Sequence, residues 1–328
     1  MAAYTGIQGQ NILIVSSDPS DPTEGQIWYN STSNLLKGYA VANVNAWATG
    51  GNLNTARSAA ESVGTQNAAL IFGGQTPSPT GATESYNGTS WTTLPATMNT
   101  ARESMGGAGN QTAALAFGGS PSGTATESWS GSTWTSVNSM NTSRYALGGC
   151  GTQTAALAFG GRDSPFTDNQ LATESWNGTS WTSVNSLPTR KGHLGGAGIQ
   201  TAAVAFGGYQ PPSNTVSTIT DNWNGTSWSS SGSMSTGRAD PGSAGVQTAA
   251  LAFGGLVPPG ATQTAAAEQY NGTAWTNLPN MATARREIAG SGISTAALAS
   301  GGQPGTAVTA ATEEWTGQAI QVRTITTS

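Results

Sequence analysis

Short apolar runs alternate with polar, glycine-rich stretches along the chain, and the apolar runs recur. AALAFGG or a close variant appears six times, ending at Gly73-Gly74, Gly118-Gly119, Gly160-Gly161, Gly207-Gly208, Gly254-Gly255 and Gly301-Gly302. The first glycines of successive pairs lie 45, 42, 47, 47 and 47 residues apart. A short continuous apolar run bounded by turn residues predicts a strand covered on both faces. A period in the forties is that of a propeller, in which each repeat is one four-stranded blade.

Two further markers keep the same period. A basic residue precedes each apolar run, at Arg57, Arg102, Arg144, Lys191, Arg238 and Arg285. An aromatic residue, a polar turn and a tryptophan five positions on then follow, as Tyr86–Trp91, Trp129–Trp134, Trp176–Trp181, Trp223–Trp228 and Tyr270–Trp275. The sixth copy is split: Trp315 has Ile320 where the second tryptophan belongs, and Trp47 stands alone ahead of the first repeat. Residues 47–57 (WATGGNLNTAR) match 91–102 (WTTLPATMNTAR), so Trp47 is expected to open the outer strand of the last blade. Closing the ring this way joins the two ends of the repeat by ladder hydrogen bonds and leaves no open blade edge.

The expected fold is therefore all-β, a six-bladed β-propeller with four antiparallel strands per blade. An inner Gly/Ala-rich strand follows the basic residue, then come the apolar run, an ATESW-like third strand and the outer strand. Asn-Gly at 87–88, 177–178, 224–225 and 271–272 predicts two-residue hairpin turns between the third and outer strands. An acid sits two residues before the aromatic, at Glu84, Glu127, Glu174, Asp221, Glu268 and Glu313. Alternating strand directions bring these acids, the six basic residues and the glycine pairs to one face. Six charge-assisted pairs that lock the blades are the expected result. The glycine pair, the acid before an aromatic and the tryptophan opening the outer strand resemble the Kelch repeat over 47–317. The five-residue aromatic spacing and the alanines of the apolar run depart from it, so the resemblance implies the propeller and no particular Kelch activity.

Only 8% of residues are charged and the formal net charge is -5, which excludes the basic stripe a nucleic-acid partner needs. The single cysteine, Cys150, rules out an internal disulfide and occupies a strand position held elsewhere by Ala108 and Ala197, the place of a small buried apolar residue. The single histidine, His193, rules out a His/Cys zinc cluster; carboxylate sites for calcium stay open, but no metal-ligating residue is assigned and no cofactor is expected. No apolar run is long enough for membrane insertion, and the N-terminus lacks the basic and apolar regions of a signal peptide. No GxSxG elbow accompanies His193. Each of the acids above has five equivalents, whereas glycoside hydrolysis needs two carboxylates in distinct environments. No catalytic residue is expected.

The loops after the glycine pairs differ in length and content, and loops on a rigid scaffold commonly carry recognition. The two most distinctive point to Arg162, Asp163, Phe166, Asp168 and Tyr209 as ligand-binding residues. Residues 1–46 lie outside the repeat, so the expected division is an attachment segment, 1–46, and a propeller, 47–328. A hairpin with a polar turn at Ser31–Asn34 is expected in GQIWYNSTSNLLKGY. That stretch, from Gly25 to Tyr39, is similar to a module of bacteriophage tail-fibre and other virion structural proteins. The similarity implies a non-enzymatic virion component, assembled in the host cytoplasm and exposed on the particle. Residues 1–46 would dock other virion proteins, the loop face would bind a host surface glycan or protein, and a homo-oligomer is compatible with that role. A glycan-active enzyme and a Kelch-type protein-interaction adaptor are the alternatives.

Overall fold

The computed structural model describes residues 12–20, 26–42, 45–163, 168–211, 215–258, 262–317 and 319–324. The second repeat shows the blade at its simplest. Gly106–Gly109, Ala114–Phe117, Thr126–Trp129 and Trp134–Val137 pair consecutively and antiparallel. The same order recurs from the inner strands Glu61–Thr65, Gly148–Thr152, Gly195–Ile199 and Gly242–Val246. In the sixth blade, Ala289–Ile293, Ala296–Ser300 and Thr312–Thr316 are completed by Ala46–Thr49, with Trp47 opposite Trp315. Each inner strand touches the next, and the last touches the first. The chain thus forms a six-bladed propeller whose last blade is closed by the Trp47 strand, as the repeats predict. Among the described residues no helix is long and apolar enough to cross a membrane.

The apolar runs are buried, and the first five end on a phenylalanine that reaches the next blade. Phe72 meets Trp134 edge-on at 4.9 Å between ring centroids, Phe117 meets Trp181 at 5.0 Å, Phe159 meets Trp228 at 5.1 Å, Phe206 meets Trp275 at 4.9 Å and Phe253 meets Trp47 at 5.1 Å. Each such pair adds about 0.5–1.5 kcal/mol beyond its buried area. Four of these indoles, and that of Trp91, donate to a threonine of the preceding blade: Trp134 to Thr83 at 3.0 Å, Trp181 to Thr126 at 3.0 Å, Trp228 to Thr173 at 3.0 Å, Trp275 to Thr220 at 2.8 Å and Trp91 to Thr312 at 3.1 Å. A glutamine in the turn after the inner strand is a third connector. The Gln200 amide donates to the carbonyls of Ala156 (3.1 Å) and Trp176 (2.5 Å), one blade back. Gln66, Gln111, Gln153 and Gln247 repeat the arrangement.

The expected ion pairs form within each blade. Arg57 meets Glu84 at 2.5 Å, Arg102 meets Glu127 at 3.0 Å, Arg144 meets Glu174 at 2.9 Å, Lys191 meets Asp221 at 2.7 Å and Arg285 meets Glu313 at 2.9 Å; Arg238 pairs with Glu268 in the same way. The pairs are buried. Arg144 also donates to the carbonyls of Gly160 and Ala172, while Glu174 accepts from the backbone of Asn141 and Thr142 in the incoming loop. Each side-chain pair therefore pins a connecting loop to its own blade. The seam to the neighbouring blade is held by the same residue's carbonyl, which accepts from the second glycine of the preceding pair, as Arg102 does from Gly74 at 2.8 Å. That glycine is required: Gly74 has φ of 89°, and a Cβ there would lie 2.7 Å from the Ser58 carbonyl oxygen.

Two expectations change in detail. The turns between third and outer strands span four residues, because Tyr86 pairs with Trp91. Only Gly88 takes positive φ; the Asn87 side chain accepts from the backbone of Thr89 and Ser90 instead. An Asx-type turn therefore replaces the two-residue hairpin. The C-terminal residues also do not stay with the propeller. The chain divides into 46–316 and a smaller unit made of 1–45 with 317–328, where the expected boundary left 317–328 in the ring. The reason is pairing: Ala319–Thr324 registers antiparallel to Leu35–Ala42. In that unit Ile27–Asn30 and Leu35–Ala42 form the expected hairpin about Ser31–Asn34, and Leu13–Val15 adds parallel to Ile27–Asn30. Asp18 accepts from Lys37, Asn30 and Trp28, which lowers its pKa to about 2.

The closing blade departs from the pattern on both sides. Ser300 replaces the phenylalanine, Ser294 replaces the glutamine, and Ala267 replaces the threonine that would accept from Trp47, whose indole nitrogen is buried without a partner. Removing a regular connector should be felt directly. Gln200→Ala strips two buried carbonyls of their donor and is expected to lower stability by about 1–3 kcal/mol in urea unfolding. Ser294→Gln is expected to raise it. Equal midpoints for wild type and Gln200→Ala would remove the glutamines from the set of blade connectors.

Candidate functional site

Two positions beyond each basic residue stand Ala59, Ser104, Ala146, His193, Asp240 and Glu287. All six adopt left-handed backbone, with φ from 49° to 58°, a conformation that is uncommon for side-chain-bearing residues. The reason is a closed circle of backbone hydrogen bonds about the axis. Ser104 N–H donates to the Ala59 carbonyl (2.8 Å), Ala146 to Ser104 (2.7 Å), His193 to Ala146 (2.9 Å), Asp240 to His193 (2.9 Å), Glu287 to Asp240 (3.0 Å) and Ala59 to Glu287 (3.1 Å). Because main-chain atoms make the circle, the side chains are free to differ.

These residues rim a cavity of about 90 Å³ at the mouth of the axis, floored by Ala60, Met105, Leu147, Leu194, Pro241 and Ile288. His193 Nδ1 lies 2.6 Å from Asp240 Oδ1. Burial alone would lower the imidazole pKa, but the attraction and hydrogen bond of Asp240 outweigh it and the net shift is upward. The rings of Tyr209 and Tyr145 stand edge-on to the imidazole, at 5.5 and 6.1 Å. Burial raises both phenols, and the positive charge of Arg162 opposes the rise. Arg162 is bridged through its backbone to Tyr145. Across the mouth, Glu287 accepts from Ser58 Oγ at 2.8 Å. The Glu103 carboxyl is raised by burial and then by the charge of Glu287, and its Oε2 is buried with no hydrogen-bond partner.

Of the residues expected to bind ligand, Arg162 and Tyr209 stand at this mouth. Asp163 accepts from the backbone of Asp168 at 2.7 Å within its own loop, and Asp168 forms a solvent-exposed ion pair with Arg190 of the segment entering the fourth blade. Phe166 lies outside the described residues. The expectation missed Tyr145, His193, Asp240, Glu103 and Glu287 as one group. Their signal was present: they occupy the first and second positions after the basic residue, where the repeats disagree while their surroundings agree.

Catalytic chemistry finds few of its parts. Burial pushes the Cys150 thiol up to about 12, so it is no thiolate nucleophile near neutral pH. Among the described residues the only side chain hydrogen-bonded to the imidazole is Asp240, and no group of three or more His, Cys, Asp or Glu side chains is placed to hold a metal ion.

No family profile matches the chain, and no curated protein matches it in sequence. Its fold has solved relatives. A structure titled "Structure of YjhT" is similar with a TM-score of 0.69 and 11% sequence identity, over 83% of this chain and 99% of that one. At that identity the likeness establishes the propeller fold alone.

The His193–Asp240 pair makes stability depend on pH. A histidine pKa raised by folding contributes stability that is fully present below the unfolded value of about 6.5 and is lost as pH rises through the folded value. Asp240→Asn is expected to remove this pH dependence and to bring the His193 titration, followed by NMR, down in pH. An unchanged titration in Asp240→Asn would separate the imidazole from the carboxylate.

Proposed function

We propose that the chain is a non-enzymatic binding protein of a bacteriophage particle, with Kelch-like blades that present the axial mouth to a host surface glycan or protein. One observation carries the binding role. The charged residues common to all six repeats are consumed in buried scaffold pairs, while aromatic and charged residues that differ between repeats gather at one concave mouth. Tyrosine, arginine and histidine around a shallow cavity suit recognition by ring contact and hydrogen bonding. Support for attachment comes from the separate small unit, in which Leu35–Ala42 pairs with Ala319–Thr324, and from the similarity of residues 25–39 to tail-fibre modules. Docking to other virion proteins through residues 1–46, exposure on the particle, and self-association are part of the same proposal.

A glycan-active enzyme is the second reading, favoured by Glu103, whose raised carboxyl lies within the influence of Glu287 in the manner of an acid beside a second carboxylate. One set of variants separates the two. Tyr209→Ala and Arg162→Ala are expected to weaken saturable binding to host cells at least about tenfold, or ~1.4 kcal/mol, with thermal stability unchanged. Glu103→Gln is expected to leave that binding in place. Sugar release from the host surface by wild type and not by Glu103→Gln would make the chain an enzyme.

A further inference from the structure

Below the mouth runs a second space, an axial channel of about 190 Å³. Leu147, Leu194, Pro241 and Ile288 line both spaces, so an apolar collar lies between them. The channel wall is unlike the collar. Each of the six inner strands pairs on one side only, and a strand edge without a partner presents free N–H and C=O groups.

Among the polar side chains that add to this wall are Glu61, Ser62, Ser243 and Ser291. Ser62 and Ser291 are 4% and 5% exposed, and neither hydroxyl has a hydrogen-bond partner. The other blades rarely place a side chain there. The positions equivalent to Glu61 are Gly106, Gly148, Gly195, Gly242 and Ala289, and those equivalent to Ser62 are Gly107, Gly149, Gly196, Ser243 and Gly290. A Cβ on Gly149 would lie 2.7 Å from the Phe117 ring of the preceding blade. The blade before Ser62 ends on Ser300 in place of that phenylalanine, whereas Ser243 stands at the equivalent position beside a blade that keeps Phe206 and donates its hydroxyl to the Gly196 carbonyl at 2.9 Å. Glu61, the one carboxylate among the residues lining the channel, runs across Gly107, where an added Cβ would lie 2.4 Å from its Cγ. The exchange of a Phe–Gly contact for Ser300 and Ser62 opens a polar place beside the axis and leaves its hydroxyls unsatisfied.

We propose that the axial channel is a binding site for one hard cation of the calcium class, with Glu61 supplying the negative charge and the Ser62 and Ser291 hydroxyls and inner-strand carbonyls supplying oxygen, directly or through water. Calcium accepts irregular sets of carboxylate, carbonyl and water oxygens, whereas magnesium demands a near-ideal octahedron. The channel volume leaves room for the cation and several waters, each occupying about 30 Å³ in the liquid. The site is distinct from the mouth and does not depend on what the mouth binds.

The test uses the full chain, stripped with a chelator and dialysed. Calorimetric titration with CaCl2 is expected to show one site per chain, and CaCl2 is expected to raise the unfolding temperature more than MgCl2 or NaCl at equal ionic strength. Glu61→Gln is expected to abolish both responses, and Ser291→Ala to weaken calcium affinity several-fold. A wild type that does not respond, or responses equal in Glu61→Gln, would overturn the proposal. If Glu61→Gln fails to fold, Ser291→Ala decides: weakened binding supports the site and unchanged binding overturns it.

Discussion

A buried ion pair at the corner of every blade is the constraint on which the propeller depends. Taking an arginine and a glutamate out of water is expensive, and the attraction between them repays this only when every remaining donor and acceptor is satisfied. In the third blade the two Arg144 Nη groups donate to Glu174 and to the carbonyls of Gly160 and Ala172, Glu174 accepts from the guanidinium and two loop amides, and the Arg144 Nε alone is buried without a partner. Burial lowers the arginine's pKa while Glu174 opposes the shift. Such a pair adds little net stability. Its effect is on geometry: the glycine pair, the start of the third strand and the incoming loop can meet in only one arrangement if no charge is to be stranded.

That arrangement sets the seams. Once the corner is fixed, the basic residue's carbonyl is placed to accept from the second glycine of the preceding blade, and the second residue after it is turned into the left-handed circle about the axis. Six strained residues share six mutual hydrogen bonds, so no position can relax without opening its neighbours. The outer seams are closed by tryptophan, phenylalanine and glutamine. Blade six, assembled from both ends of the propeller segment, lacks one regular connector on the side of blade one and two on the side of blade five. Its fourth strand still pairs in full with the third, so closure rests on the ladder more than on the seams.

The blade count, the split sixth repeat and the ion pairs were legible because each is a residue type repeated at a fixed interval. The glutamines and threonines repeat as regularly, yet their roles were not legible. A polar residue in a turn has many local uses, and only the lateral placement of sheets shows that Gln200 reaches carbonyls one blade back. The Asn-Gly turns were located correctly and assigned the wrong length, since Asn supports either a positive φ or a side-chain cap and the choice lies in the register. For the mouth, loop variety drew attention outward to Asp163 and Asp168, which are taken up by their own loop and by Arg190. His193 and Asp240 are 47 residues apart in sequence and become neighbours only through the circle.

The circle also explains how one scaffold holds a varied site. Strain is usually tolerated where the surroundings over-determine it, and here the determining contacts are main-chain groups contributed by six blades. Alanine, serine, histidine, aspartate and glutamate all occupy the circle with nearly the same backbone. Identity at these positions is therefore decoupled from folding, while the residue two before is committed to the ion pair and the residue after to the apolar collar. A mouth built in this way can change its chemistry one blade at a time without disturbing the seams. The channel below offers no such freedom. Most blades keep glycine at the Ser62 position, and the loss of the preceding blade's phenylalanine to Ser300 makes Ser62 and Ser300 a second kind of departure, bound to packing where His193 and Asp240 are not.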